Sequence, residues 1–419
     1  MTEMEEKLRK RIEERRARRI LWLKFIGMVV SILLVIVLSV VLVFTVRDYL
    51  RAKRTAEPAV PSETVQTPLA EAAVRIPVHR EPEQTVTLVA VGDNLMHNTV
   101  MWAGKSEEGG YDYRPLYEHL RAKVSAADIA CVNQETIFIN DPDEFTNYPE
   151  FGGPVEIGEA LIDTGFDVVT HATNHCYDKG ERGLEDTIAF WREHPQITVL
   201  GIHDSREDAD SIRVVEKNGI RIAMLNYTYG TNAELPEQSY RIDYLWDREK
   251  ISSDIERAKE ISDIIIVFPH WGSENTFEPN EKQRDWAQFF ADQGVGAVIG
   301  CHTHSLQPVE EITGVNGNKM PVYWSLGNMI SHMEHARNML GGMAELTIGR
   351  DEFGVFVADY SISPVMTFAA HDRGKWEFQS MPLEDYTEEM AARHLISDTS
   401  PKQMWALFEQ IIPSAQSKP

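Results

Sequence analysis

The chain is 419 residues long, 43% hydrophobic and 25% charged, the balance of a globular protein large enough to bury a substantial core. Its formal net charge of −24 argues against a nucleic-acid partner, because gripping a phosphate backbone needs clustered Lys and Arg. Three widely separated cysteines, Cys131, Cys176 and Cys301, with no CxxC spacing, argue against a disulfide framework and read as small buried thiols.

Residues 1–24 are polar and basic. From Phe25 to Val46 there is no charged residue, and as a helix rising ~1.5 Å per residue that run crosses a hydrocarbon core ~30 Å thick. The sequence therefore predicts a transmembrane helix over 25–46. The upstream side carries about twice as many Lys and Arg as 47–54, so the positive-inside rule puts the N-terminus in the cytoplasm. The protein is then expected in the cell membrane, single-pass, with its main domain extracytoplasmic. Residues 47–84, rich in Pro, Glu, Ala and Thr, read as a flexible tether, and the ordered domain is expected to begin near Thr85.

Apolar runs then alternate with helix-like segments. "TVTLVAVGD" reads as a strand, "PLYEHLRAKVSAA" as a helix, "DIACVNQE" as a strand, "EIGEALIDTG" as a helix and "FDVVTHATNH" as a strand. "GLEDTIAFWREH" reads as a helix, "TVLG" as a short strand, and "IRVVEKNGIRIAMLNYTYG" as a hairpin turning at Asn218-Gly219. "REKISSDIERAKEIS" is helical and "DIIIVFPHWG" a strand. A helix opens after Pro279 and ends at Gly294, before the strand "VGAVIGCHTH". Late strands, one pair forming a hairpin, make the sheets mixed. The pattern predicts an α/β domain over 85–370, followed by a C-terminal helical extension over 371–419.

Polar residues recur where these strands stop: Asp93 and His97, Asn133 and Glu135, Asn174, His175 and Asp178, His270 and Glu274, His302 and His304. A single histidine at a strand end is usually structural, but five such clusters on one sheet edge, where open α/β sheets bind ligands, point to one shared site. Imidazole, carboxylate and amide oxygen together suit Zn, Mn or Fe, and more than four candidates leave room for one or two ions. Asp93 or Glu135 would bridge two cations. His175 would act as general acid or substrate clamp, with Asp178 orienting its other ring nitrogen. In "VIGCHTHSLQP", alternate residues of an extended chain would aim His302 and His304 the same way, with Cys301 facing into packing. Asn328, in "SLGNMI", reads equally as a turn residue or as support for the site.

The ordered set "VGDNLMH", "NQE", "TNHCYDKG", "HWGSE" with "VIGCHTHSLQPVE", and "SLGN" resembles the CapA family of capsule (poly-γ-glutamate) synthesis proteins, over roughly Thr85 to Pro364. That family in turn resembles calcineurin-like metallophosphoesterases. The resemblance implies a sandwich of mixed β-sheets flanked by helices. It implies Asp93, Glu135, Asn174, His270, His302 and His304 as metal ligands, with His97 at the place of a further one, and His175 as the catalytic histidine. This sequence departs from the phosphoesterase pattern at three points: Asp-x-x-x-His in place of Asp-x-His, Asn133 and Glu135 in place of an Asp, and Thr173-Asn174-His175 in place of Gly-Asn-His.

The implied function is capsule polymer synthesis, export or anchoring, with a metal-dependent hydrolase or transferase site. Alternatives are a non-catalytic polymer-binding or scaffold subunit of a membrane synthase, or a general envelope phosphoesterase. The expected partners are the polymer or another envelope substrate, membrane synthase subunits and the membrane itself.

Overall fold

The computed structural model describes residues 81–106 and 109–412. The expected basic segment, transmembrane helix and nearly all of the tether lie outside the described residues. Among the described residues no helix is long and apolar enough to cross a membrane.

Two sheets form the frame. The first contains β1 (Gln84–Asn94), β2 (Ile129–Gln134), β3 (Val168–Thr170) and β4 (Thr198–Leu200), all parallel. The second contains β5 (Arg213–Lys217), β6 (Ile220–Thr228), β7 (Ile264–His270), β8 (Ala297–Ile299), β9 (Val309–Thr313) and β10 (Lys319–Tyr323), in the order β5-β6-β7-β8-β10-β9 with a parallel centre. The chain then returns to the first sheet. β11 (Asn328–Ile330) pairs with β1, and β12 (Leu340–Asp351), β13 (Gly354–Asp372) and β14 (Lys375–Pro382) extend it antiparallel on the far side of β1.

Alternation along the strands builds the layers. Val86, Leu88 and Ala90 of β1 face Ile222 and Met224 of β6 and Ile266 and Phe268 of β7 in the core between the sheets. Ala130 and Val132 of β2 point the other way, onto the helices Glu156–Thr164 and Gly180–Arg192. Ala223 and Leu225 of β6 and Ile265 and Val267 of β7 pack on Arg248–Ile261 and Glu281–Asp292. The result is helix, sheet, sheet, helix: mixed sheets flanked by helices, as expected. The Asn218-Gly219 turn has φ of 50° and 74°, both in the left-handed region that a tight hairpin requires. All three cysteines are free and buried.

Three expectations need correction. "PLYEHLRAKVSAA" is two short helices, Arg114–Tyr117 and Arg121–Ala126. The strands expected through His175 and His304 stop at Thr170 and Ile299, because the polar residues that follow leave the ladder to meet one another. The boundary at 370/371 falls inside β13. The chain turns at Arg373-Gly374 (φ 49° and 82°) and runs back as β14, whose Phe378 and Met381 enter the two core layers. Helices follow only after that strand, and Met404, Phe408 and Ile411 of the helix Pro401–Ile411 close the end of the inter-sheet core.

One buried ion-pair network lies away from the strand-end cluster. His203 Nε2 is 2.7 Å from Asp243 Oδ2 and its Nδ1 is 3.5 Å from Asp208. Burial lowers its pKa, but Asp243 and Asp208 outweigh burial and raise it to about 9. A histidine whose folded pKa is raised stabilises the fold below its unfolded pKa of about 6.5 and loses that contribution as pH rises through the folded value. Unfolding free energy is therefore expected to fall by about 3 kcal/mol between pH 6.5 and 9.5. Denaturant titration across that range checks it, with His203→Gln showing a flatter profile.

Candidate metal centre

The parallel strands deliver their last residues to one edge. Asp93 is the penultimate residue of β1, Asn133 of β2, and His270 ends β7. Glu135 follows β2 directly. Asn174 and His175 lie in the turn after β3, and His302 and His304 in the turn after β8. β1 reaches this edge against a neighbouring backbone: Asp93 N–H donates to Gly327 O at 2.9 Å, and a Cβ on Gly92 would sit 1.9 Å from that same oxygen. Only glycine fits there.

Asp93 is wholly buried. Its Oδ1 accepts from Asn133 Nδ2 at 2.8 Å, its Oδ2 lies 3.1 Å from His304 Nδ1, and the backbone N–H of His302 points at both oxygens from 3.3–3.4 Å. Asn133 is itself oriented by Thr170, whose hydroxyl donates to Asn133 Oδ1 at 2.7 Å. His304 Nδ1 also lies 3.0 Å from Asn328 Oδ1. His270 Nε2 is 2.7 Å from Asn174 Oδ1 and 3.7 Å from Glu135 Oε1, and His304 Nε2 is 3.6 Å from that same oxygen. One ligand atom each from Glu135, His302 and His304 fall within 4.8 Å of one another.

The His-x-His pair is not presented by an extended chain. His302 has φ 98° and His304 φ 52°, both in the left-handed region that favours glycine. The two imidazoles converge because the backbone turns twice, at a cost of roughly 1–3 kcal/mol per residue. Cys301 packs into the inter-sheet core as expected, and burial pushes its thiol well up.

The donor set suits a cation. Glu135 is fully buried, yet neither carboxylate oxygen has a hydrogen-bond partner, and His302 Nδ1 and Asn174 Nδ2 also lack one. A dry, unpaired carboxylate is costly. Burial accordingly pushes the Glu135 carboxyl well up, with His304 opposing and Asp93 adding. Burial and the neighbouring imidazoles hold His270 and His302 well below the usual range, in the neutral form that ligates metal. Burial also acts to lower His304, but Glu135 and Asp93 raise it to about 10. Carboxylate, imidazole and amide oxygen converge here with too few protons to satisfy one another, which a divalent ion would remedy.

His175 stands beside the cluster. Its Nδ1 is 2.6 Å from Asp178 Oδ2, which also accepts from the Phe151 N–H at 2.7 Å, and the Phe151 ring meets the imidazole edge-on at 4.7 Å. His97 is half-buried on the other side of Phe151, 5.4 Å ring to ring. Burial takes it to about 3, and its Nδ1 accepts from the His332 N–H at 3.2 Å. It is outside the tight group. Glu274 is exposed at the rim, close enough to raise the Glu135 carboxyl but without a hydrogen bond to the cluster.

Sequence reasoning missed four contributors. Tyr229 follows β6, lies 4.6 Å from His302 and is 43% exposed, so it borders the entrance. Asn232 Nδ2 is 3.4 Å from His175 Nε2, and its backbone N–H donates to Asn174 O at 2.8 Å. Asn338 Nδ2 donates to His304 O at 2.8 Å. Asn226 ties the turn after β3 to the second sheet: its Oδ1 accepts from His171 and Ala172 N–H at 3.1 and 2.7 Å, and its Nδ2 donates to Phe268 O at 2.7 Å. The signal open to sequence reading was position: Asn226 and Tyr229 sit at the end of the strand beside β7.

Residues 87–333 match the family model described as bacterial capsule synthesis protein PGA_cap. The chain is 28% identical over 200 residues to the PGA biosynthesis protein CapA of Bacillus subtilis (strain 168), covering 47% of this chain and 51% of that one. It is 27% identical over 264 residues to the capsule biosynthesis protein CapA of Bacillus anthracis, covering 60% and 61%. The chain thus spans about half to three-fifths of the length of these curated relatives. Among solved structures it is similar to the NAD nucleotidase NadN of Haemophilus influenzae (TM-score 0.42, 12% identity, 80% of this chain and 57% of that one). It is also similar to the calcineurin-like phosphoesterase YfkN of Bacillus subtilis (TM-score 0.38, 14% identity, 78% and 97%).

Replacing Glu135 by Gln removes the unpaired buried carboxyl and keeps its shape. Chelator-treated Glu135→Gln protein is expected to melt above the chelator-treated parent. The rise in melting temperature that Mn²⁺ or Zn²⁺ gives the parent should disappear in the variant. Thermal unfolding with and without ion checks both.

Proposed function

The chain belongs to the bacterial capsule synthesis family PGA_cap, and on that premise we propose a membrane-anchored, extracytoplasmic protein acting in capsule polymer synthesis, export or anchoring through a metal-dependent hydrolase or transferase centre. The observation that carries this reading is Glu135, a fully buried carboxylate without a hydrogen-bond partner, faced by His270, His302 and His304. Asp93, Glu135, Asn174, His270, His302 and His304 would hold one or two Mn, Fe or Zn ions. Bound there, such an ion would polarise a substrate oxygen and lower the pKa of water.

The remaining work belongs to the protein's own groups. Asn133 fixes Asp93, and Asn328 fixes His304. Asp178 holds His175 through Nδ1, and Nε2, met only by the long 3.4 Å contact from Asn232, would exchange a proton with the substrate or grip its oxygen. Phe151 closes the imidazole edge to water. Tyr229 and Glu274, at the rim, meet the substrate first. The reacting bond is an amide of a γ-glutamyl polymer or a phosphoester, and the net charge of −24 slows the approach of either as a polyanion.

Metal analysis of the protein purified without chelator is expected to find about one to two equivalents of Mn, Fe or Zn. His302→Ala should lose most of it and Cys301→Ala should keep it. No metal in the parent, with none taken up on reconstitution, would overturn the metalloenzyme reading in favour of a polymer-binding scaffold of a membrane synthase. His175→Ala is expected to retain metal while turnover of γ-glutamyl or phosphoester substrates falls by about 10²–10⁴-fold.

A further inference from the structure

Residues 229–247 leave the end of β6 at Tyr229, against His302, and return as Tyr244, which bridges to Thr228, with the Leu245 N–H donating to Thr228 O at 2.8 Å. At that far end the segment borders a cleft of about 370 Å³ that contains none of the metal-centre residues. Its floor is aromatic. Trp246 lies on Tyr244 with ring centroids 4.0 Å apart and planes within 8°, and Trp246 is still 56% exposed. Leu235, also more than half exposed, and Tyr240 line the cleft with it.

The polar groups around this floor are of both signs. Arg206 lies over the Tyr240 ring at 5.1 Å and has no carboxylate partner among the described residues. Lys250 is neutralised by Asp243 at 2.9 Å and Asp254 at 2.7 Å. Asp210 is exposed, and Asp247 caps the following helix by accepting from the Lys250 N–H. A polyanion is disfavoured, because the one uncommitted cation is outnumbered by acids. A purely apolar ligand would leave these groups unanswered.

We propose that this cleft is a carbohydrate-binding site, in which a pyranose ring stacks on Trp246 and its hydroxyls engage Arg206, Asp210 and Asp247. The flat C–H face of a sugar carries slight positive charge and suits the negative face of an indole. Its hydroxyls both donate and accept, so they use guanidinium and carboxylate alike. Tyr244, stacked behind Trp246, fixes the platform. It also packs with Cys176 and Tyr177, in the turn that carries His175, so a glycan held in the cleft lies beside the segment that borders the metal centre. The site is independent of the reading of that centre.

The test uses full-length protein labelled with 5-fluorotryptophan, in a detergent without a sugar headgroup. Trp246→Phe assigns the Trp246 fluorine resonance. Neutral hexamers of glucose and of N-acetylglucosamine, and a γ-glutamyl hexamer, are titrated in turn. At least one saccharide is expected to shift the Trp246 resonance, equally in the parent and in the metal-centre variant His302→Ala, and the γ-glutamyl hexamer is not. Trp246→Ala, an exposed position, should weaken saccharide binding measured by calorimetry about tenfold. No shift with either saccharide, unchanged affinity in Trp246→Ala, or a shift with the γ-glutamyl hexamer alone would each overturn the assignment.

Discussion

A carboxylate with no exposure to water has to find its donors inside the protein, and Asp93 finds them on both sheets. Asn133, from the first sheet, and the backbone of His302, beyond the second, both address it, and His304 stands within ion-pair distance. Its position depends on Gly92, whose missing side chain lets β1 pass against Gly327. Each neighbour is held in turn, Asn133 by Thr170 and His304 by Asn328. Withdrawing this one group would leave a hydrogen-bond network spanning two sheets unsatisfied.

The centre therefore sits on a seam. The sheets are joined along their length by apolar side chains, which fix spacing but not registry. Polar contacts of defined geometry add registry, at the site edge through Asn226 clamping the turn after β3 and Asn133 approaching His270 at 3.5 Å, and elsewhere through Asn218 on Thr85, Arg350 on Asp263 and Tyr323 on Glu345 and Ser361. An ion held by Glu135 from the first sheet and His302 and His304 from the second would fasten the same edge. Its binding free energy would then add to the association of the two layers.

Much of this was legible in the sequence because strand ends are marked chemically. An apolar run stopping at Asp, Asn or His is visible in one dimension, and parallel pairing brings such stops to one edge. The hairpin at Asn218-Gly219 and the hydrophobic runs of β6 and β7 are equally plain. The division of strands between two sheets was not legible, since every buried strand looks alike and nothing in β6 or β11 says which sheet it joins. β14 was missed although Trp376 and Phe378 alternate with Glu377 and Gln379 as a half-buried strand should, because the expected helical extension over 371–419 covers the whole segment. Asn226, Asn232 and Asn338 belong to no motif, and an amide declares its role only when its partners are in place. The geometry of His302 and His304 was misread for a physical reason. Two histidines one residue apart suggest a strand, whereas here both residues turn left-handed and bring the His302 N–H and the His304 ring to Asp93.

That turn has a consequence for how the protein responds to selection. At both positions the backbone adopts a left-handed conformation that glycine would take at little cost, whereas an imidazole occupies it under strain. The substitutions that would most relax this loop are thus the ones that dismantle the donor set. Any search for thermally hardier versions of this chain, conducted without regard to what it binds, is drawn towards emptying the centre first. Robustness and chemistry pull in opposite directions across two φ angles.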